Sequence, residues 1–236
     1  MDAHPATAEI RQIGVLLRGE PDTLSRWVQQ WSARRTCLCV LVIFAGTGLY
    51  GGAVGYWRDP VQACYTAIKF PLIILLTTLG NALLNGMLAP LLGLNLGFRQ
   101  SLQAILLSFT IAAVILGSFS PLIFFMVWNA PPVSAHATSA YCFILLTDVM
   151  LIAFAGLMAN LRLVRLLQRL GGGAPVGRRV LCAWLAGNLF LGSQLSWNLR
   201  PFIGSPGLPV EFLRGNAFEG NFFEAVFQSA RHLLSF

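Results

Sequence analysis

The sequence predicts an all-α, polytopic integral membrane protein of five transmembrane helices with an amphipathic interfacial helix at each end. Three observations predict it. Hydrophobic residues make up 56% of the chain and charged residues only 11%, with a mean hydropathy of +0.69, whereas an ordinary soluble domain is roughly 25% charged. The uncharged runs 36–57, 70–98, 100–147 (interrupted only by His136) and 180–199 are longer than core helices, and about 20 helical residues suffice to cross a hydrocarbon core of about 30 Å. The arginines stand at the ends of these runs, where they set orientation and meet anionic headgroups. The net charge of +7 is therefore read as topological. No basic patch interleaved with aromatics points to nucleic acid.

The first span, 37–57, carries glycines at 46, 48, 51, 52 and 55 and ends at Trp57 and Arg58. Small residues let a second helix approach closely, so this is predicted to be a packing helix. Between Asp59 and Lys69 the pattern Val61, Ala63, Cys64, Ala67, Ile68 is amphipathic and reads as a surface segment. The second span, about 70–92, opens with Pro71 in its first turn, and Gly80 and Pro90 are places where it can bend. Its Thr77, Asn81 and Asn85 recur every four residues and line one face, which should look away from lipid.

Beyond a short turn at Arg99, the third span is predicted at about 102–127, with Pro121 near its end. The fourth is predicted at about 139–160, after a proline loop at 129–136. Arg162, Arg165 and Arg169 follow, Gly171-Gly-Gly173 terminates that helix, and Arg178 and Arg179 precede the fifth span, 180–199. With the N-terminus cytoplasmic, 11 of the basic residues fall inside and 5 outside, so the C-terminus is placed on the opposite side. The first apolar run follows 35 residues that include five arginines, so it is predicted to remain as an anchor.

Both ends read as interfacial. In residues 1–36, Leu24, Trp27, Val28 and Trp31 share a helical face after the start signal Pro21-Asp22-Thr23, and Trp27 and Trp31 suit the headgroup layer. Residues 37–199 form the membrane domain. In residues 200–236, three prolines and two glycines within 201–209 form a boundary loop or, alternatively, a re-entrant one. A Phe218, Phe222, Val226 stripe, flanked by Phe223 and Phe227, then predicts an amphipathic helix from about Asn216. Phe222, Phe223 and Phe227 are the candidate anchors there.

The chain carries no nucleophile, phosphate-loop or dinucleotide motif. Its five cysteines read as small apolar residues, with no metal site among them, and no cofactor is expected. The position that asks for an explanation is Asp148, inside the apolar run 141–155. A carboxyl group there must be neutral, paired or wet. Ala155 and Ala159 share its face and are small, and Thr77, Asn81, Asn85 and Asn188 are the available uncharged partners. Two readings stand: a neutral carboxyl joining two helices, or a proton or cation site.

The stretch 59–126 begins DPVQACYTAIKFPLIILLTTLGNALLNGMLAPLLG and continues FRQSLQAILLSFTIAAVILGSFSPLIFFM. In its order of surface segment, K-F-P span opening, leucine-rich hairpin and F-R-Q-S-L entry, it resembles the Yip family of five-span membrane domains. The resemblance implies five spans and a cytoplasmic N-terminus, and supplies no catalytic residues. Together these readings give a non-enzymatic membrane scaffold or accessory subunit, with an oligomeric ion- or proton-conducting protein using Asp148 as the alternative. Expected partners are the lipid bilayer and either further copies of the chain or another membrane protein. The arginine-dominated basic set suggests a bacterial cytoplasmic membrane.

Overall fold

The structure is a computed structural model that describes residue 14 and residues 27–91, 97–134, 137–170 and 173–234. Leu24, the Pro21-Asp22-Thr23 start signal, His136 and the Gly171-Gly172 pair lie outside the described residues. Six long helices follow one another among the described residues: α1 (Ala33–Gly55), α2 (Pro60–Leu91), α3 (Phe98–Trp128), α4 (Thr138–Leu170), α5 (Gly173–Asn198) and α6 (Phe222–Leu234). No strand occurs among them. Four helices are long and apolar enough to cross a membrane: α1, α2 over Pro60–Leu88, α3, and α4 over Thr138–Val164. The fifth predicted span corresponds to α5, whose 26 residues are long enough but are diluted by Asn188, Ser193 and Gln194.

Helix α1 packs between α2 and α3, as its glycines predict. A methyl group added at Gly46 would collide with the Ala113 carbonyl oxygen, and one at Gly117 would lie 2.9 Å from Gly46 Cα. On the α2 side, a methyl at Gly51 would meet the Thr66 carbonyl at 2.6 Å, and one at Gly55 the Gln62 carbonyl at 2.8 Å. The helices thus meet backbone to backbone, which increases dispersion contact where lipid offers no hydrophobic drive.

Helix α2 corrects the expected division into a surface segment and a separate span. It is one continuous helix of 32 residues. Asp59 starts it by accepting the Val61 N–H at 2.7 Å, with Pro60 at the first position, where its missing N–H is not needed. Pro71 is therefore inside the helix rather than in its first turn. It leaves the Ala67 carbonyl without its helical donor, and that oxygen abuts α1 beside Gly48. The amphipathicity is inverted: Val61 and Ile68 face out, while Gln62, Thr66 and Lys69 are fully buried. In lipid the apolar face is the one that points away from the protein.

The C-terminal helix also starts later than expected. Asn221, not Asn216, caps it, its Oδ1 accepting the Glu224 N–H at 2.9 Å. The carbonyls of Asn216, Ala217 and Glu219 instead accept from the Arg200 guanidinium, and Gly220 turns the chain with φ +75°. Phe218 consequently sits outside the helix. At the other terminus Trp27 and Val28 are buried in a cluster with Ala104, Leu107, Leu163 and Trp184. Trp27 therefore packs in protein rather than anchoring at headgroups, while Trp31 is exposed and stands under the Arg99 guanidinium.

Substituting Gly46 with alanine should force α1 and α3 apart and cost about 2 kcal/mol. Gly156, around which nothing lies within 4 Å, should accept alanine without loss. Thermal melting of both variants in detergent checks this, and equal melting temperatures would refute the close-packed interface.

Candidate functional site

Two sets of buried polar groups and one strap lie within the bundle. Asp148, in the middle of α4, is 6% exposed. Ala155 and Ala159 on its face are also buried, so this side of α4 is packed as the small residues imply. The group that faces its carboxyl is the Tyr50 hydroxyl of α1. Asp148 Oδ1 and Tyr50 Oη are both left without a hydrogen bond of standard geometry. Asp148 thus meets none of the four partners expected from the sequence. Tyr50, fully buried and edge-on to Phe70 at 5.6 Å, is the residue that sequence reasoning misses. A lone tyrosine amid the glycines of α1 is the available signal.

The second set is the predicted stripe. Thr77, Asn81 and Asn85 are buried on α2 and face α5. Asn81 Nδ2 donates to the Trp184 carbonyl at 3.2 Å and to Asn188 Oδ1, and Asn85 Nδ2 donates to Asn81 Oδ1 at 3.1 Å. Asn188, Asn81 and Asn85 therefore form a chain of side-chain amides. Gly187 makes room for it: a methyl there would lie 2.6 Å from Asn81 Oδ1. Thr77 Oγ1 and Asn85 Oδ1 remain unpartnered, with Gly192 opposite Thr77. The arrangement joins α2 to α5 by polar contacts, the expected use of amides within a membrane bundle.

The strap is residues 200–210, read from sequence as a boundary or re-entrant loop. It lies on α2 over residues 62–69, about 10 Å of helix axis. Gln62 Nε2 donates to the carbonyls of Pro201 and Phe202 at 2.9 and 3.0 Å, Thr66 Oγ1 to Phe202 O at 2.7 Å, and Lys69 Nζ to Pro201 O at 2.8 Å. Phe70 and Phe202 meet edge to face, and Ile203 is buried in the core. Arg58 donates to Leu208 O at 2.8 Å from the other side. The strap carbonyls that a proline- and glycine-rich segment cannot pair internally are thus satisfied by α2. The sequence places Lys69, the chain's single lysine, at the start of a span. It is instead 0% exposed, because its position on the inverted polar face turns it inward.

The terminal anchors divide. Phe223 and Phe227 are exposed, as is Phe218, while Phe222 is half-buried and packs edge-on to Phe223. Among the described residues no group of three or more His, Cys, Asp or Glu is placed to hold a metal ion, and the five cysteines are free thiols. No family model, curated protein or solved structure matches the chain.

Asn81→Leu should strand the Asn85 and Asn188 amides and destabilise by about 1–3 kcal/mol, whereas the triple change Asn81→Leu, Asn85→Leu, Asn188→Leu should recover much of that loss. Thermal melting in detergent reads both, and additive losses would exclude a coupled amide chain. Gln62→Leu should leave the Pro201 carbonyl to Lys69 and the Phe202 carbonyl to Thr66, removing one of two donors from each, and speed protease cleavage within residues 204–215, measured by limited proteolysis in detergent. Unchanged cleavage would mean that the strap is held by other contacts.

Proposed function

We propose that the chain is a non-enzymatic integral membrane protein that acts as a scaffold or accessory subunit of a membrane complex, with a Yip-like organisation of five spans. The observation that carries this reading is the C-terminal segment. Helix α6 buries Ser229 but leaves Phe223, Phe227 and Leu234 exposed, with Phe218 exposed just before it. Such a row of large apolar side chains on a segment outside the apolar spans fits a lipid surface or a partner subunit. The close glycine contacts of α1 support a rigid body on which that row is displayed.

In this reading α5 is the fifth span. Its 26 residues reach about 39 Å at helical rise, and its Asn188 is paired with Asn81 of α2 inside the bundle. The arginine bias supports an N-terminus in the cytoplasm and a C-terminus outside a bacterial cytoplasmic membrane. Reporters inserted after Gly172 and after Phe236 should register opposite sides, and registration on one side would remove the five-span arrangement. The mass of the detergent-solubilised complex should reveal a second protein in fixed stoichiometry with this chain.

A second reading rests on Asp148, whose buried carboxyl faces Tyr50 with Oδ1 unpartnered. A homo-oligomer conducting protons or cations through that carboxyl would assemble as a closed ring. It would lose flux in liposomes on Asp148→Asn, because an amide cannot exchange a proton near neutral pH. Equal flux in wild type and variant removes Asp148 as a transport site. No flux above background in wild type leaves the scaffold reading in front.

A further inference from the structure

We propose that Lys69 and Arg214 form a binding site for a phosphate group at the end of the bundle capped by the C-terminal segment. Three observations converge on it. The Lys69 ammonium is fully buried, yet it makes one hydrogen bond, to the neutral Pro201 carbonyl. The rings of Phe212 and Phe202 lie 4.8 and 5.7 Å from it. No carboxylate pairs with it among the described residues; the charged group that acts on it is another cation, Arg214.

Arg214 is itself only 10% exposed in its side chain. Its Nη1 donates to Pro209 O at 3.2 Å and reaches Glu211 at 3.4 Å, while Nη2 is buried with no partner. Phe212, two residues before Arg214 in the chain, meets Lys69 with its ring face and Tyr65 edge-on at 5.4 Å, which brings the segment carrying Arg214 to Lys69. Arg200 belongs to the same field, because Arg214 acts on it too.

Like charges withdrawn from water repel, and neither a carbonyl nor a ring face neutralises an ammonium. The Glu211 carboxylate does not complete the site: its side chain is 40% exposed and its contact with Arg214, at 3.4 Å, is long for a charge-assisted hydrogen bond. An entering phosphate displaces Glu211 from Arg214, takes Nη1 and the unpartnered Nη2 as a fork, and meets Lys69 as a point charge. That division of labour matches the geometry of guanidinium and ammonium. A phospholipid headgroup and a free phosphate share this chemistry.

The experiment uses the full chain purified in a neutral detergent, with phosphatidylglycerol as one probe, read by native mass spectrometry, and inorganic phosphate as the other, read by calorimetry. Binding of either probe should weaken on the order of tenfold or more in Arg214→Gln and strengthen in Glu211→Gln, which removes the competing carboxylate. Phosphatidylglycerol binding alone identifies a headgroup site, and inorganic phosphate binding a soluble anion site. Thermal melting establishes whether each variant is folded. If Arg214→Gln fails to fold, Glu211→Gln decides, because that change leaves both cations in place. Absence of binding in both arms, or binding that Glu211→Gln does not strengthen, overturns the proposal.

Discussion

Between Gln62 and Asn85, helix α2 turns Gln62, Thr66, Lys69, Thr77, Asn81 and Asn85 away from its surroundings, and all six are buried. In water such a polar face would point outward. In a bilayer the surroundings offer no donors or acceptors, so such groups turn to partners within the protein, and all of the six but Thr77 make a hydrogen bond there. That requirement selects two neighbours of α2: α5 through Asn188 and the Trp184 carbonyl, and the strap through the carbonyls of Pro201 and Phe202. Helix α1 closes against α2 through glycines that let the two backbones touch.

The energetics favour completeness over number. A hydrogen bond made within the protein contributes about 1 kcal/mol net, while a buried donor or acceptor left alone costs about 1–3 kcal/mol. The strap therefore stays docked because Lys69 would otherwise be stranded and Gln62 would keep only its bond to Thr66, as much as through the burial of Ile203. Arg200 works from the opposite direction. Its guanidinium lies 3.9 Å above the Trp197 ring and gathers the carbonyls of residues 216, 217 and 219, fixing the path by which the chain reaches α6.

Much of the bundle is legible in the sequence. The glycines of the first span announce close approach, and the four-residue recurrence of Thr77, Asn81 and Asn85 announces an inward face, although Asn188, which the sequence offers as a partner for Asp148, instead pairs with Asn81. Both follow from helical periodicity, which is a local property. The juxtaposition of Asp148 with Tyr50 is not legible, since it depends on how α4 and α1 are set against each other. Lys69 is misplaced for a related reason: a charge beside an apolar run reads as the membrane boundary, and only the docked strap turns it into an interior residue.

Hydropathy and helical period are written residue by residue, so the chain alone dictates a set of apolar helices, their order, and which faces are unsuited to lipid. Where those faces end is a matter for the assembled bundle: that residues 60–91 are one helix, that Trp27 packs inside, and that residues 200–210 fold back onto α2. The docking of the strap depends on partners more than a hundred residues away in the chain, as with Gln62 and Pro201, and no local pattern carries information about contacts at that separation.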